Sequence, residues 1–118
     1  MKLLLMLLVV ASGCTLYYEP SFNISNETRV YQVVDGDTFL LSEGEYVRII
    51  GIDSPERGKE GYHEAADFLR NLTEGKPVVL ESEGPDRDQY GRLLRHVYIN
   101  NESVRKLMLE RNLSAAYE

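Results

Sequence analysis

The stretch from Asp35 to Glu56 limits what this chain can fold into more than any other. It opens Asp35-Gly36-Asp37-Thr38, runs on through alternating apolar and polar residues, and closes Arg48-Ile49-Ile50-Gly51-Ile52-Asp53-Ser54-Pro55-Glu56. Charges at the ends of apolar strands are costly unless they are solvated, paired or bound to a metal. These carboxylates and Arg48 therefore belong to a site. Arg48 and Asp53 are five residues apart, a separation of about 16 Å in a straight strand. They share a site only if the strand coils sharply, and Gly51 offers the kink.

The chain in order fits a small barrel. Arg29–Val34 is β-prone and ends at the Asp35-Gly36 turn signal. Thr38–Leu41 and Tyr46–Ile52 read as two further strands around a Ser42-Glu43-Gly44-Glu45 loop. Tyr62, Ala65, Ala66, Leu69 and Leu72 recur at helical spacing, and Gly75 with Pro77 ends that helix. Val78–Leu80 is a fourth strand, Ser82–Gly91 a charged loop, Leu93–Ile99 a fifth strand, and Val104 to about Arg111 a second helix. The tail Leu113–Tyr117 reads as short and half apolar. Five strands, one of them bent, with two helices predict a five-stranded OB-fold barrel, mainly β with α.

A chain of 118 residues holds one small domain. With 43% hydrophobic and 27% charged residues it is globular. Its net charge of −6 excludes binding of polyanions through a general basic surface. A nucleic-acid substrate would need local positive charge, from arginines and a bound cation. With Cys14 as the single cysteine, no intramolecular disulfide forms.

The N-terminus reads as an address. Met1-Lys2 precedes an apolar run, Leu3–Ala11, of nine residues. As a helix that is about 14 Å, against the roughly 30 Å of a bilayer core, so residues 1–13 fit a signal peptide. Ala11-Ser12-Gly13-Cys14 resembles the lipobox of prokaryotic lipoproteins, which implies lipidation of Cys14 and an extracytoplasmic, membrane-anchored or secreted protein. Its only membrane contact would be the lipid anchor. An ordinary secretory signal with a coincidental cysteine is the competing reading. Residues 15–28 form a polar tether, and 29–118 the folded domain. Five of the six asparagines, Asn23, Asn26, Asn71, Asn101 and Asn112, open Asn-x-Ser/Thr triplets, a pattern expected of an exterior glycoprotein. Some of these would serve equally as caps, Asn101 before Glu102 among them.

Taken together, Asp35-Gly-Asp37-Thr38, Arg48 through Asp53-Ser54-Pro-Glu56, and Asp88-Gln89-Tyr90-Gly91-Arg92 resemble in order and separation the three signatures of the thermonuclease (staphylococcal or micrococcal nuclease) family. The resemblance runs from about Arg29 to Tyr117. It implies an OB-fold and calcium-dependent hydrolysis of DNA and RNA, single-stranded or frayed most readily. It implies metal binding at Asp37 and Asp53, and through the backbone carbonyl at Ser54, where the family usually has threonine. Arg48, Glu56 and Arg92 match the catalytic trio, and Tyr90 and Tyr117 match tyrosines beside the nucleotide. Gln89 stands where a relative carries lysine beside the substrate phosphate. The family usually continues past the position of Tyr117 into a C-terminal helix, so a partner chain would have to cover the surface it leaves.

The chemistry asks for the same residue types. Attack on a phosphodiester gathers negative charge, which guanidinium groups stabilise with paired hydrogen bonds. Carboxylates suit a hard cation such as calcium, and Glu56 is a carboxylate able to take a proton from water. Against this stands a structural role, with Arg48 paired to Glu56 and Arg92 satisfying a turn carboxylate such as Asp88. The competing function is a catalytically inactive OB module that binds nucleic acid or protein. His63-Glu64-Ala65-Ala66-Asp67 misses the zincin motif at Asp67 and reads as a solvated helix face. Tyr46, Tyr62 and Tyr98 are expected to be part of the fold.

Overall fold

The computed structural model describes residues 27–117. The expected signal segment, Cys14, residues 15–26 of the tether, and the sequons at Asn23 and Asn26 lie outside the described residues.

The order is β1 (Glu27–Asp35), β2 (Thr38–Leu41), β3 (Tyr46–Ile49), β4 (Ile52–Asp53), α1 (Tyr62–Thr73), β5 (Pro77–Arg87), β6 (Leu93–Ile99), β7 (Glu102–Ser103), α2 (Val104–Glu110) and β8 (Ala115–Ala116). Strands β1, β2, β3, β5 and β6 form the expected five-stranded barrel. Antiparallel pairings run β3-β2-β1-β5-β6, and a parallel β3–β6 pairing closes the ring. Closure leaves no unpaired barrel edge. Alternation along β3 shows how the pleat divides labour. Val47 and Ile49 are fully buried while Arg48 between them points out of the core. Phe39, Leu41, Ile52, Leu69, Val97 and Met108 complete the interior, each worth about 1.5–3 kcal/mol of burial.

Helix α1 buries Ala65, Ala66 and Leu69, and Thr73 hydrogen-bonds back to the Leu69 carbonyl at 2.8 Å. At its far end Glu74 Oε2 accepts the Val33 amide at 2.9 Å, tying the helix to β1.

Three local expectations are corrected. The strand predicted over Tyr46–Ile52 divides at Ile50-Gly51, because Gly51 takes φ +88°. Strand β5 continues to Arg87, through residues read as a charged loop. Its polar side chains are exposed, so hydrophobicity gave no sign of a strand there. The tail holds β8, which pairs with β4. Tyr46 stands in β3 as expected, paired with Leu40, with its side chain 47% exposed.

The three described sequon asparagines, Asn71, Asn101 and Asn112, are exposed. Their partner hydroxyls have roles in the fold or lie within it. Thr73 is bonded to Leu69. Ser103, rather than Asn101, caps α2 by accepting the Lys106 amide at 3.2 Å. Ser114 Oγ is buried without a hydrogen-bond partner among the described residues.

Candidate active site

The β1–β2 turn builds the acidic half of the site. Gly36 is buried at its tip, where a Cβ would lie 2.7 Å from both Ala65 Cβ and Ser54 Cβ. Glycine lets the turn sit directly on α1 and on the chain after β4. That contact presses Asp37 against Ser54. Asp37 Oδ2 accepts the Ser54 amide at 3.1 Å and its hydroxyl at 3.0 Å, and Oδ1 accepts the Thr38 hydroxyl at 2.8 Å. Burial pushes the Asp37 carboxyl up. The hydrogen bond from Asp35, the Arg48 charge and the bonds from Ser54 and Thr38 outweigh it and hold Asp37 below the ordinary range. Asp35 takes the opposite shift: burial, then the neighbouring Asp37 carboxylate, raise it to about 6.

The kink after β3 builds the cationic half. By turning at Gly51, the chain points the carbonyls of Ile49 and Ile52 at Arg48 Nη1, which donates to them at 2.8 and 2.7 Å. Arg48 Nη2 is left 3.4 Å from Asp53 Oδ1 and 3.6 Å from Asp37 Oδ2. Arg48 and Asp53 do meet, as the coiled strand requires. Asp53 itself is solvent-facing.

Arg92 arrives from the turn before β6. Asp88 Oδ1 accepts the Tyr90 and Arg92 amides, both at 2.9 Å, and Asp88 Oδ2 accepts Arg92 Nε at 2.7 Å. Burial alone would raise the Asp88 carboxyl, but the Arg92 amide and guanidinium, with the Tyr90 amide, hold it low. Arg92 thus satisfies a turn carboxylate, as the competing reading held. The same bond aims its outer nitrogens across the barrel, where Nη1 donates to Thr38 Oγ1 at 3.1 Å. A relay Arg92–Thr38–Asp37–Arg48 connects the two guanidinium groups.

Both arginines line a cleft of about 490 Å³, with Tyr90, Tyr117 and Gln89. Tyr90 and Tyr117 are exposed, with Arg92 5.4 Å from the first ring and Arg48 5.8 Å from the second. Tyr117 is held by its amide, which donates to the Gly51 carbonyl at 3.0 Å.

The structure does not bring every candidate together. Glu56 is exposed at the start of the loop before α1, and it pairs with neither Arg48 nor Arg92. The Arg48–Glu56 ion pair of the structural reading is therefore absent, and Arg48 turns to Asp37 and Asp53 instead. His63, Glu64 and Asp67 are exposed, as expected of a solvated helix face. Sequence reasoning passed over two participants. Asp35 crowds Asp37, and Thr38 bridges the arginines; both stand inside the Asp-Gly-Asp-Thr motif, so their position was the available signal.

Among the described residues, no three His, Cys, Asp or Glu side chains converge on one point as a metal centre. The donors present still fit a hard cation. All are oxygens, and the crowding of Asp35 against Asp37 is negative charge that a cation would neutralise.

The model of the staphylococcal nuclease homologue family matches residues 46–118. The thermonuclease of Staphylococcus hyicus is 30% identical over 104 residues, covering 80% of this chain and 62% of that one. An uncharacterized endonuclease of Escherichia coli is 31% identical over 94 residues (76% and 60%). Endonuclease YncB of Bacillus subtilis is 33% identical over 93 residues (70% and 44%). The chain spans less than two thirds of the length of each of these relatives. A family match over well over half of the chain, folded as the OB barrel its motifs imply, settles the kinship: this chain belongs to the staphylococcal nuclease homologue family.

Proposed function

We propose that the chain is a calcium-dependent nuclease that hydrolyses phosphodiester bonds of DNA and RNA. The observation that carries this is the convergence of Arg48 and Arg92 on one cleft beside Asp37. An acidic protein needs such a local concentration of positive charge to hold a polyanion, and the similarity to a thermonuclease and to endonucleases supports the same reaction class.

In this reading the phosphodiester sits against both guanidinium groups, whose spare N–H donors meet the phosphoryl oxygens as charge builds on them. Arg48 is pre-set by the Ile49 and Ile52 carbonyls and Arg92 by Asp88, so neither reorganises as the reaction proceeds. Asp37, Asp53 and the Ser54 carbonyl would hold calcium, with Asp35 beside them. Bound there, the cation supplies Lewis acidity and orientation. Glu56, unpaired among the described residues and three positions beyond Asp53, is free to take the proton of the attacking water. Tyr90, Tyr117 and Gln89 contact the nucleotide.

The N-terminal pattern supports export and lipid attachment at Cys14, and the sequons support glycosylation; mass analysis of the mature protein tests both. The nuclease reading is tested by digesting denatured DNA with calcium or with a chelator. Calcium-dependent cleavage that disappears in Arg48→Ala and Glu56→Ala is the expected result. Cleavage that survives both substitutions, or none at all, overturns the reading, and binding without cleavage identifies an inactive OB module.

A further inference from the structure

Two carboxylates line the arginine cleft among the described residues, Asp88 and Glu83. Asp88 is fully occupied by the turn it organises. Glu83 is not. Its Oε1 is hydrogen-bonded to His96 Nε2, while the side chain as a whole is 71% exposed, leaving Oε2 open.

The position is built by the β5–β6 hairpin. The ladder runs in register to Ser82↔Arg95 and resumes only at Arg87↔Leu93, so residues 83–86 bulge out of β5 around Gly84, at φ +74°. The bulge is pinned at both ends. Arg95 holds the Asp86 carboxylate at 2.8 Å, and Arg87 grips Glu45 with two bonds of 2.9 and 3.0 Å. His96 fixes Glu83 from the neighbouring strand.

A carboxylate in the cleft of a polyanion-binding protein repels phosphate. The part of a nucleotide that reaches Glu83 must therefore be an uncharged hydrogen-bond donor. Phosphate belongs at the arginine end and the tyrosines offer stacking faces, which leaves the base edge for the bulge. We infer that Glu83, positioned by His96, selects the base in this cleft by accepting a hydrogen bond from an exocyclic amino group. Cytosine and thymine are the discriminating pair: cytosine presents an amino donor at position 4, whereas thymine presents a carbonyl acceptor, which a carboxylate repels.

The inference rests on the nucleotide-binding reading of the cleft, and the experiment separates the two. The full chain is given oligo(dC) and oligo(dT) of equal length, and kcat/KM is compared. The dC preference is expected to be roughly tenfold, the size of one hydrogen bond to a charged group. It should fall to within about twofold in Glu83→Ala, since a purely electrostatic loss of one charge affects both substrates alike. His96→Phe should lower the preference by raising KM on dC rather than by lowering kcat. In parallel, equilibrium binding of cytidine and thymidine 3′,5′-bisphosphates reads selectivity without cleavage. Selective binding that depends on Glu83, with no cleavage, sinks the nuclease reading and leaves this inference standing. No dC preference in the wild type, or a preference unchanged in Glu83→Ala, overturns it. So does a Glu83-dependent preference for oligo(rU) over oligo(dU), which would assign the carboxylate to the ribose 2′-hydroxyl.

Discussion

Arg48 Nη2 and Asp53 Oδ1 lie 3.4 Å apart although five residues separate them in sequence. The turn at Gly51 makes this possible, and the cost of that turn is shared with α2. A Cβ on Gly51 would meet Arg105 Nε at 2.5 Å and its Cδ and Cζ at 2.9 Å. The Arg105 nitrogen is buried there without a hydrogen-bond partner among the described residues.

Gly51→Ala should therefore destabilise the domain by about 2–3 kcal/mol, from the positive φ and the displaced guanidinium together. Arg105→Ala removes the steric part only. Urea denaturation of the double variant should recover some, not all, of the loss. Strict additivity of the two substitutions would show that Arg105 does not press on the kink.

Arg48→Ala and Arg92→Ala should each lower kcat by about 10²–10³-fold, the range for removing one oxyanion donor. Arg92→Lys should rescue little, because a lysine cannot hold Asp88 and reach Thr38 at once. Single-turnover cleavage of a short oligonucleotide measures all three. Near-complete rescue by lysine would mean that charge alone suffices.

Asp88 ties acid stability to the Arg92 turn. Its folded pKa lies below the unfolded value of about 3.9. Its contribution is thus fully present above that unfolded value and is lost as the pH falls through the lower folded one. Asp88→Asn should be less stable than wild type at pH 7 and approach it as the solution is acidified. Urea midpoints from pH 7 to pH 2 give the comparison, and curves that stay parallel would contradict the assignment.

Calcium should raise the melting temperature, by the equivalent of about 2.7 kcal/mol at a hundredfold excess over Kd. Asp37→Asn and Asp53→Asn should abolish the shift, and magnesium, which demands stricter geometry, should give a smaller one. Differential scanning calorimetry reads this without reference to activity. An undiminished shift in both variants would place the ion elsewhere.

Much of this was legible in the chain. The Asp35-Gly36 turn, the alternation around Arg48 and the need for a kink at Gly51 are local properties, and the structure bears them out. The missed strand β8 and the extension of β5 are of another kind. Both are held by backbone pairing, β8 to the distant β4 and the β5 extension to its hairpin neighbour β6, with side chains largely exposed, so neither leaves a hydrophobic period to read. The Arg92–Thr38 bond joins residues 54 positions apart; only the closed barrel reveals that one arginine serves a turn and faces the other arginine across the site.

The seam that closes the barrel has a temporal meaning as well. Arg48 stands opposite Leu94 in the parallel β3–β6 pairing, and that pairing brings the two guanidinium groups to one cleft. β3 is complete by Ile49, but β6 does not begin until Leu93. A nascent chain on the ribosome therefore carries Arg48, Asp37 and Asp53 long before it can present them with Arg92. The cleft comes into being in one step, once β6 can pair with β3.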